Sequence, residues 1–250
     1  MKFRRSGAKA VLSALVVGAV LAASAPGLHA AVTFLNTQWV SSSEQYDLQF
    51  TNQVTSATFD TVNGGTAVYA TLESNEINGS LNPQLQGPLA AHVFIAASTT
   101  TPATPLGPYL SQPLNIPSGT GTIQILLDTP VNGMSNLLTV QFNAGILGMT
   151  GGSAPVFWGQ DGLSGETVTF SSDFLNFNTT SGNAFSWEMT NATPPLQQGD
   201  GGFLASFAGN GLSSYSATTG MPTVVPEPGS FGLLLLGGVA CAGLVRRRTR

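Results

Sequence analysis

Apolar and polar residues alternate along the middle of this 250-residue chain, and this alternation constrains its fold more than any other feature. Between positions 45 and 50, for example, Tyr46, Leu48 and Phe50 are separated by polar residues. Successive side chains of a β-strand point to opposite faces, so a period of two predicts strands with one buried and one solvated face. Turn-forming pairs such as Asn-Gly and Asp-Gly stand between several of the segments. The predicted strands are 31–40, 45–50, 66–73, 89–98, 122–128, 138–143, 166–170, 185–190, 203–208 and 213–218.

Many short strands joined by turns predict an all-β domain, either an antiparallel β-sandwich or a jelly roll. We assign residues 31–224 to this one domain, because that length is sufficient to bury one core. Residues 98–120 interrupt the strand pattern with many Pro and Thr residues. Since the pattern is similar on both sides, we expect a surface loop there rather than a domain boundary.

The charge of this domain is strongly one-sided, since residues 31–224 contain no Lys and no Arg. They hold eleven of the twelve acidic residues, so with His92 neutral their net charge is 0 − 11 = −11. Nucleic-acid binding needs cationic side chains that neutralise phosphates, so this partner is excluded for the domain. Salt bridges inside the domain are not expected, and its cohesion must come from apolar burial and hydrogen bonds.

The first 30 residues are typical of a secretory signal peptide. A basic start precedes an apolar run at 10–23, which is short for a membrane span. Small residues at the end of the segment allow cleavage after Ala30 or after Ala25, although Pro26 disfavours the second site. An uncleaved anchor helix is the alternative interpretation.

The last part of the chain, residues 225–250, contains a short extended element followed by an apolar segment. Pro226, Glu227 and Pro228 form the extended element, because proline restricts both its own backbone and that of the preceding residue. Residues 229–245 carry no charge, and as a helix they would be about 25 Å long. This segment therefore predicts a single transmembrane helix.

Three arginines, Arg246, Arg247 and Arg248, lie in the terminal cluster 246–250 and predict a stop-transfer signal. By the positive-inside rule they stay in the cytoplasm, so the acidic domain faces outward. The order of Pro-Glu-Pro tripeptide, apolar segment and arginine cluster resembles the PEP-CTERM sorting signal of Gram-negative bacteria. A plain C-terminal membrane anchor that follows an incidental tripeptide is the alternative interpretation.

The resemblance implies that a membrane-embedded exosortase recognises Pro226, Glu227 and Pro228. It also implies export across the inner membrane, transient anchoring by the C-terminal helix, removal of that helix, and delivery to the cell surface or extracellular matrix. The family is associated with exopolysaccharide and biofilm, so exopolysaccharide is a candidate partner. On this interpretation the tripeptide is a substrate site for another enzyme and not a catalytic site of this chain.

No motif within residues 31–224 predicts a catalytic or metal site. His92 is their only histidine and lies in an apolar run, which favours a hydrogen-bonded strand histidine over a catalytic base. One His and no Cys are too few ligands for zinc. Calcium suits the oxygen-rich turns at 60–63, 161–166 and Asp200 better, but these turns do not match an EF-hand loop. We therefore assign no cofactor and no metal.

The sequence favours a non-enzymatic protein that is structural or adhesive in a biofilm or exopolysaccharide matrix. A carbohydrate-binding module for exopolysaccharide is the first alternative, and it requires exposed aromatic residues on one sheet face. A glycosidase is the second alternative, because its chemistry needs only two carboxylates. The glutamates available for it are Glu44, Glu73, Glu76, Glu166 and Glu188.

Overall fold

The structure is a computed structural model, and it describes residues 31–40, 46, 48–62, 65–114, 121–162 and 166–225. These residues form fifteen β-strands and three short 3-10 helices, the latter at Ser74–Glu76, Pro83–Leu85 and Asp200–Gly202. The strands are β1 (Val32–Trp39), β2 (Leu48–Asn52), β3 (Ala57–Thr61), β4 (Thr66–Leu72), β5 (Pro88–Thr99), β6 (Thr104–Leu106), β7 (Tyr109–Leu114), β8 (Gly121–Val131), β9 (Met134–Met149), β10 (Val156–Gln160), β11 (Thr167–Ser171), β12 (Leu175–Asn176), β13 (Ser181–Thr193), β14 (Phe207–Thr219) and β15 (Thr223–Val224).

Eight antiparallel strands form a closed ring. Its order is β1, β4, β5, β8, β9, β10, β13 and β14, and β14 then pairs again with β1. Strands β2 and β3 form a second connection, because β2 pairs with β14 and β3 pairs with β5. Strands β7 and β11 pair with β9, and β6 pairs with β7. A separate two-stranded sheet contains β12 and β15.

The ring closes where β1 lies beside β14. Leu35 is opposite Tyr215 in this pair, and Thr37 is opposite Ser213. The hydroxyl oxygens of Thr37 and Ser213 lie 2.5 Å apart in a buried hydrogen bond. The register shifts between Thr33 and Leu35, as in a β-bulge, which bends a strand and increases its twist. Closure therefore combines main-chain pairing with a buried contact between two hydroxyl groups.

Alternate side chains of the ring strands are buried and form one apolar core. Strand β8 shows the pattern, because Ile123 and Ile125 are fully buried while Gln124 is exposed. A cluster of edge-to-face and tilted phenylalanine rings, with centroids 4.9 to 5.2 Å apart, lies in this core. The rings of this cluster belong to Phe59, Phe142, Phe157 and Phe185.

The prediction of an all-β domain is confirmed, because the long elements of the described residues are all strands. A sandwich or jelly roll is not confirmed, since thirteen of the strands belong to a single sheet whose main path is closed. The segments 203–208 and 213–218, predicted as separate strands, overlap one continuous strand, β14. The pattern of the sequence does not predict β3 or β10.

The prediction of a loop at 98–120 is wrong for much of that segment. It contains the end of β5 and all of β6 and β7, while residues 115–120 lie outside the described part. Leu110, Gln112 and Leu114 of β7 are buried at alternate positions. The neighbouring prolines obscured this period, because proline is depleted in strands. Pro113 nevertheless fits in β7, opposite Gly145 of β9.

The predicted targeting segments lie outside the described residues. They are the signal peptide at 1–30, the tripeptide at 226–228, the apolar helix at 229–245 and the arginine cluster at 246–250. Within the part of the chain that the structure describes, no helix has the length and apolar composition needed to cross a membrane.

Candidate functional site

A groove of about 760 Å³ crosses the outer face of β4, β1, β14 and β13. The strand register places its outward side chains in transverse rows. In the first row Asn36 lies opposite Thr71 on one side and Ser214 on the other, and Ser186 follows beyond Ser214. The next row contains the opposed pair Gln38 and Tyr69 and the opposed pair Leu212 and Glu188.

The groove presents hydrogen-bonding groups beside two exposed apolar side chains. The hydroxyl groups of Ser186 and Ser214 lie 2.9 Å apart on its floor. Tyr69 is 45% exposed and Leu212 is 48% exposed. Amide, hydroxyl and aromatic groups together suit a ligand that is rich in hydroxyl groups and has apolar faces.

Two carboxylates give the groove its charge. The first is Glu73, whose Oε1 accepts a hydrogen bond of 3.0 Å from Asn36 Nδ2. The second is Glu188, which lines the groove from strand β13. Because residues 31–224 contain no Lys or Arg, the domain supplies no fixed cation that could pair with an anionic ligand. The charge therefore favours a neutral or cationic ligand over a phosphorylated or sulfated one.

The tryptophans do not supply the exposed aromatic face that sugar binding needs. Trp187 is fully buried, and Trp39 packs edge-on against it with ring centroids 5.8 Å apart. Trp158 is half-buried in β10, outside the groove. The requirement for an exposed aromatic side chain in the groove is therefore met by Tyr69.

Two of the glutamates considered for glycoside hydrolysis line the groove, and the others that the structure describes lie elsewhere. Glu73 and Glu188 line the groove, whereas Glu76 lies in a 3-10 helix. Glu166 Oε2 accepts a 3.0 Å hydrogen bond from the main-chain N–H of Gln160. Burial raises the pKa of Glu166, and the Gln160 N–H opposes that shift. Glu44 lies outside the described residues.

His92 forms a hydrogen-bonded pair with an acidic residue on the surface. Its Nδ1 lies 2.6 Å from Asp128 Oδ1, and the two side chains are 44% and 38% exposed. This agrees with the prediction of a hydrogen-bonded strand histidine. It also corrects the expectation that no salt bridge can form within the domain, because the pair becomes ionic whenever His92 is protonated.

The described residues of the oxygen-rich turns considered for calcium do not belong to a cluster of His, Cys, Asp or Glu side chains. Among the residues that the structure describes, no three side chains of His, Cys, Asp or Glu are close enough to hold a metal ion. Asp60 lies in β3, where burial raises its pKa and a hydrogen bond with Thr58 opposes the shift. Residues 63 and 163–165 of these turns lie outside the described part.

Sequence analysis did not identify the groove residues as a group. Asn36, Gln38 and Tyr69 lie within the predicted strands 31–40 and 66–73, which is the available signal, whereas Leu212 lies between the predicted strands 203–208 and 213–218. Their proximity depends on the pairing of β1 with both β4 and β14. Such register between distant strands cannot be read from one sequence.

The described chain ends in a strand that leads directly into the predicted sorting signal. Strand β15 pairs with β12, and the main-chain N–H of Val225 donates a 2.9 Å hydrogen bond to the carbonyl oxygen of Phe174. The next residue is Pro226, the first of the tripeptide. Pro226, Glu227, Pro228 and the arginines Arg246, Arg247 and Arg248 lie outside the described residues, so the structure does not test their predicted roles.

Comparison with known proteins identifies the C-terminal segment. The family model of the PEP-CTERM protein-sorting motif matches residues 224–248, which include the tripeptide, the apolar segment and three of the arginines. No curated protein and no solved structure matches the chain. The chain therefore carries a PEP-CTERM protein-sorting motif and is an extracellular protein that is sorted by an exosortase.

Proposed function

We propose that this chain is a non-enzymatic structural or adhesive protein of the extracellular matrix around a Gram-negative cell. The proposal is supported by three carboxylates that accept hydrogen bonds from the domain's own N–H groups. Glu73 accepts from Asn36, Glu166 accepts from the Gln160 N–H, and Asp173 Oδ2 accepts a 2.9 Å bond from the Asn136 N–H. Carboxylates that are held in this way support the fold. The sorting motif supports the extracellular part of the proposal, because it implies export.

The test is deletion of the gene in its own host, with complementation by the full chain and by a chain in which Glu227 is replaced by Ala. We expect deletion to reduce the cohesion of the biofilm or floc, and only the unaltered chain to restore it. An unchanged matrix in the deletion strain contradicts the structural role. Release of reducing ends from matrix polysaccharide by the purified full chain would contradict the non-enzymatic part of the proposal.

A carbohydrate-binding module is the second candidate, and the groove favours it. Tyr69 offers a ring face, and Asn36, Gln38 and Ser214 offer amide and hydroxyl groups in the same concavity. Polysaccharides present both apolar ring faces and many hydroxyl groups, so the two surfaces are complementary. The two carboxylates favour a neutral exopolysaccharide over an acidic one.

This candidate is tested by co-sedimentation of the full chain with polysaccharide from the host matrix. We expect Tyr69→Ala to weaken binding about tenfold, which corresponds to the loss of one stacking contact. Leu106→Ala is the matched control, because Leu106 is 53% exposed on β6 and does not line the groove. Equal binding by the two variants would exclude the groove as the binding site.

A further inference from the structure

The strand that precedes the sorting tripeptide is hydrogen-bonded on two sides. On one side Thr223 lies opposite Asn176 of β12 and Val224 lies opposite Leu175. On the other side Asn78 forms a parallel bridge with Thr223. The N–H of Asn78 donates to the carbonyl oxygen of residue 222 over 2.9 Å, and the N–H of Val224 donates to the carbonyl oxygen of Asn78 over 3.2 Å. These contacts fix the main chain up to the start of the tripeptide.

Side chains add to this attachment. Val224 packs against the apolar core. A Cβ built on Gly79 would lie 3.4 Å from the Val224 side chain, so the segments that contain Gly79 and Val224 approach each other closely. Gly79 has φ of +118°, a backbone region that favours glycine. The Thr179 hydroxyl donates a 3.1 Å hydrogen bond to the carbonyl oxygen of Met221. The docked segment at 221–225 therefore has both main-chain and side-chain contacts with the domain.

A protein that recognises residues 221–225 as an extended segment would need to pair with the main-chain groups that the domain already binds. Proteins that recognise extended segments pair with main-chain N–H and C=O groups, as in β-strand addition. The N–H groups of Val224 and Val225 and the carbonyl oxygens of residues 221 and 222 already have partners in the domain. Because Pro226 follows at once, no spacer residue separates the docked segment from the tripeptide.

We propose that β15 is a latch, and that exosortase binds the sorting motif only after residues 221–225 detach from β12 and Asn78. Two-residue pairing at the periphery of a domain opens at much lower free energy than the whole domain, so detachment does not require unfolding. In the docked state the folded domain protects the segment next to the tripeptide. The stability of the β12–β15 pair then sets how often the motif is available. This inference is independent of the proposed matrix function.

The experiment locks the latch with a reversible cross-link in the full chain. Asn176→Cys and Thr223→Cys are combined with Cys241→Ser, which removes the only native cysteine. Residues 176 and 223 are directly opposed in an antiparallel pair, a spacing that a disulfide can bridge. Residues 176 and 223 lie outside the segment that the sorting-motif family matches, whereas Cys241 lies inside it, so the chain with Cys241→Ser alone is the reference for recognition. Disulfide formation is verified by intact mass before and after reduction.

The locked chain is mixed with membrane vesicles that contain exosortase, with and without dithiothreitol. Bound exosortase is measured by cross-linking and co-purification, and loss of the tail by intact mass. We expect binding and tail loss to be at least about tenfold lower in the oxidised chain than in the reduced chain. The single-cysteine variants, which cannot form the lock, should not respond to dithiothreitol. Equal binding in the oxidised and reduced double variant overturns the proposal.

A second variant loosens the latch without touching the strand. Thr179→Val removes the hydrogen bond to the Met221 carbonyl and lies far from the tripeptide in sequence. Faster hydrogen exchange at the N–H groups of Val224 and Val225 will show that the segment is looser. We expect two- to fivefold faster binding or tail loss, about the effect of one lost hydrogen bond. If exchange accelerates and exosortase binding does not, the latch is refuted even where the disulfide fails to form.

Discussion

Thr37 and Ser213 join the two strands that close the sheet, with their hydroxyl oxygens 2.5 Å apart and both residues buried. We expect Thr37→Val to lower the free energy of unfolding by about 1 to 2 kcal/mol, because it leaves the Ser213 hydroxyl buried without this partner. Thr37→Ser retains the hydroxyl and should lose less. Urea denaturation followed by tryptophan fluorescence measures both values, and equal losses would show that the hydrogen bond contributes nothing.

Gly121 is required by the close approach of a phenylalanine ring. A Cβ at this position would lie 2.5 Å from the ring of Phe142, which is fully buried in the phenylalanine cluster. We expect Gly121→Ala to destabilise the domain by about 1 to 3 kcal/mol through overpacking. Gly145→Ala is the control, since its nearest neighbour would be the Gln112 carbonyl oxygen at 3.4 Å. Thermal unfolding that does not rank the two variants in this order would contradict the packing argument.

The half-buried carboxyl groups of Glu166 and Asp60 predict how stability depends on pH. Burial raises the pKa of Glu166 above 4.5 and the pKa of Asp60 above 3.8, so the native state binds protons at a higher pH than the unfolded state. Stability should therefore rise as the pH falls through the native pKa values, and level off below the unfolded values. Glu166→Gln keeps an acceptor for the Gln160 N–H and should reduce the dependence of the free energy of unfolding on pH. Urea titrations between pH 7 and pH 4 measure this dependence, and high salt screens the repulsion that comes from net charge.

The one-sided charge predicts a response to salt. Eleven acidic residues and no Lys or Arg lie between positions 31 and 224, so repulsion among carboxylates opposes the compact state. Raising NaCl from about 20 mM to about 500 mM shortens the screening length several-fold and should increase the melting temperature. Calorimetry at pH 7 provides the measurement. A melting temperature that falls with NaCl would mean that attractive pairs, such as His92 with Asp128, outweigh the repulsion.

The strands that sequence analysis identified have branched or aromatic side chains at their buried positions. Strand β8 is an example, with Ile123 and Ile125 buried. The pattern fails where glycine occupies the buried position. In β10, Gly159 faces Phe185, and a Cβ there would lie 2.8 Å from the ring, so only glycine fits and the apolar period is lost. Strand β14 is predicted as two pieces for a similar reason, because Gly209 and Gly211 occupy its buried positions.

The sorting motif and the groove differ in how far the sequence predicts them. The sorting motif is contiguous, so the order of its parts was sufficient and the family match at 224–248 confirms it. The groove instead combines residues as distant in sequence as Asn36 and Leu212, which meet only because β1 pairs with β14. The pairing of β15 with β12 likewise depends on register, and two residues carry too little pattern to predict it.

The pairing of β1 with β14 also determines how the domain responds when it is pulled. Val32, at the start of β1, lies opposite Ala217, near the end of β14. Tension applied between the two chain ends would first strip away β15, and would then load the hydrogen bonds between β1 and β14 one pair after another, as in a zipper. Sequential loading of this kind yields at lower force than shearing all the pairs at once. The domain would therefore lengthen gradually under load instead of resisting it as a rigid unit.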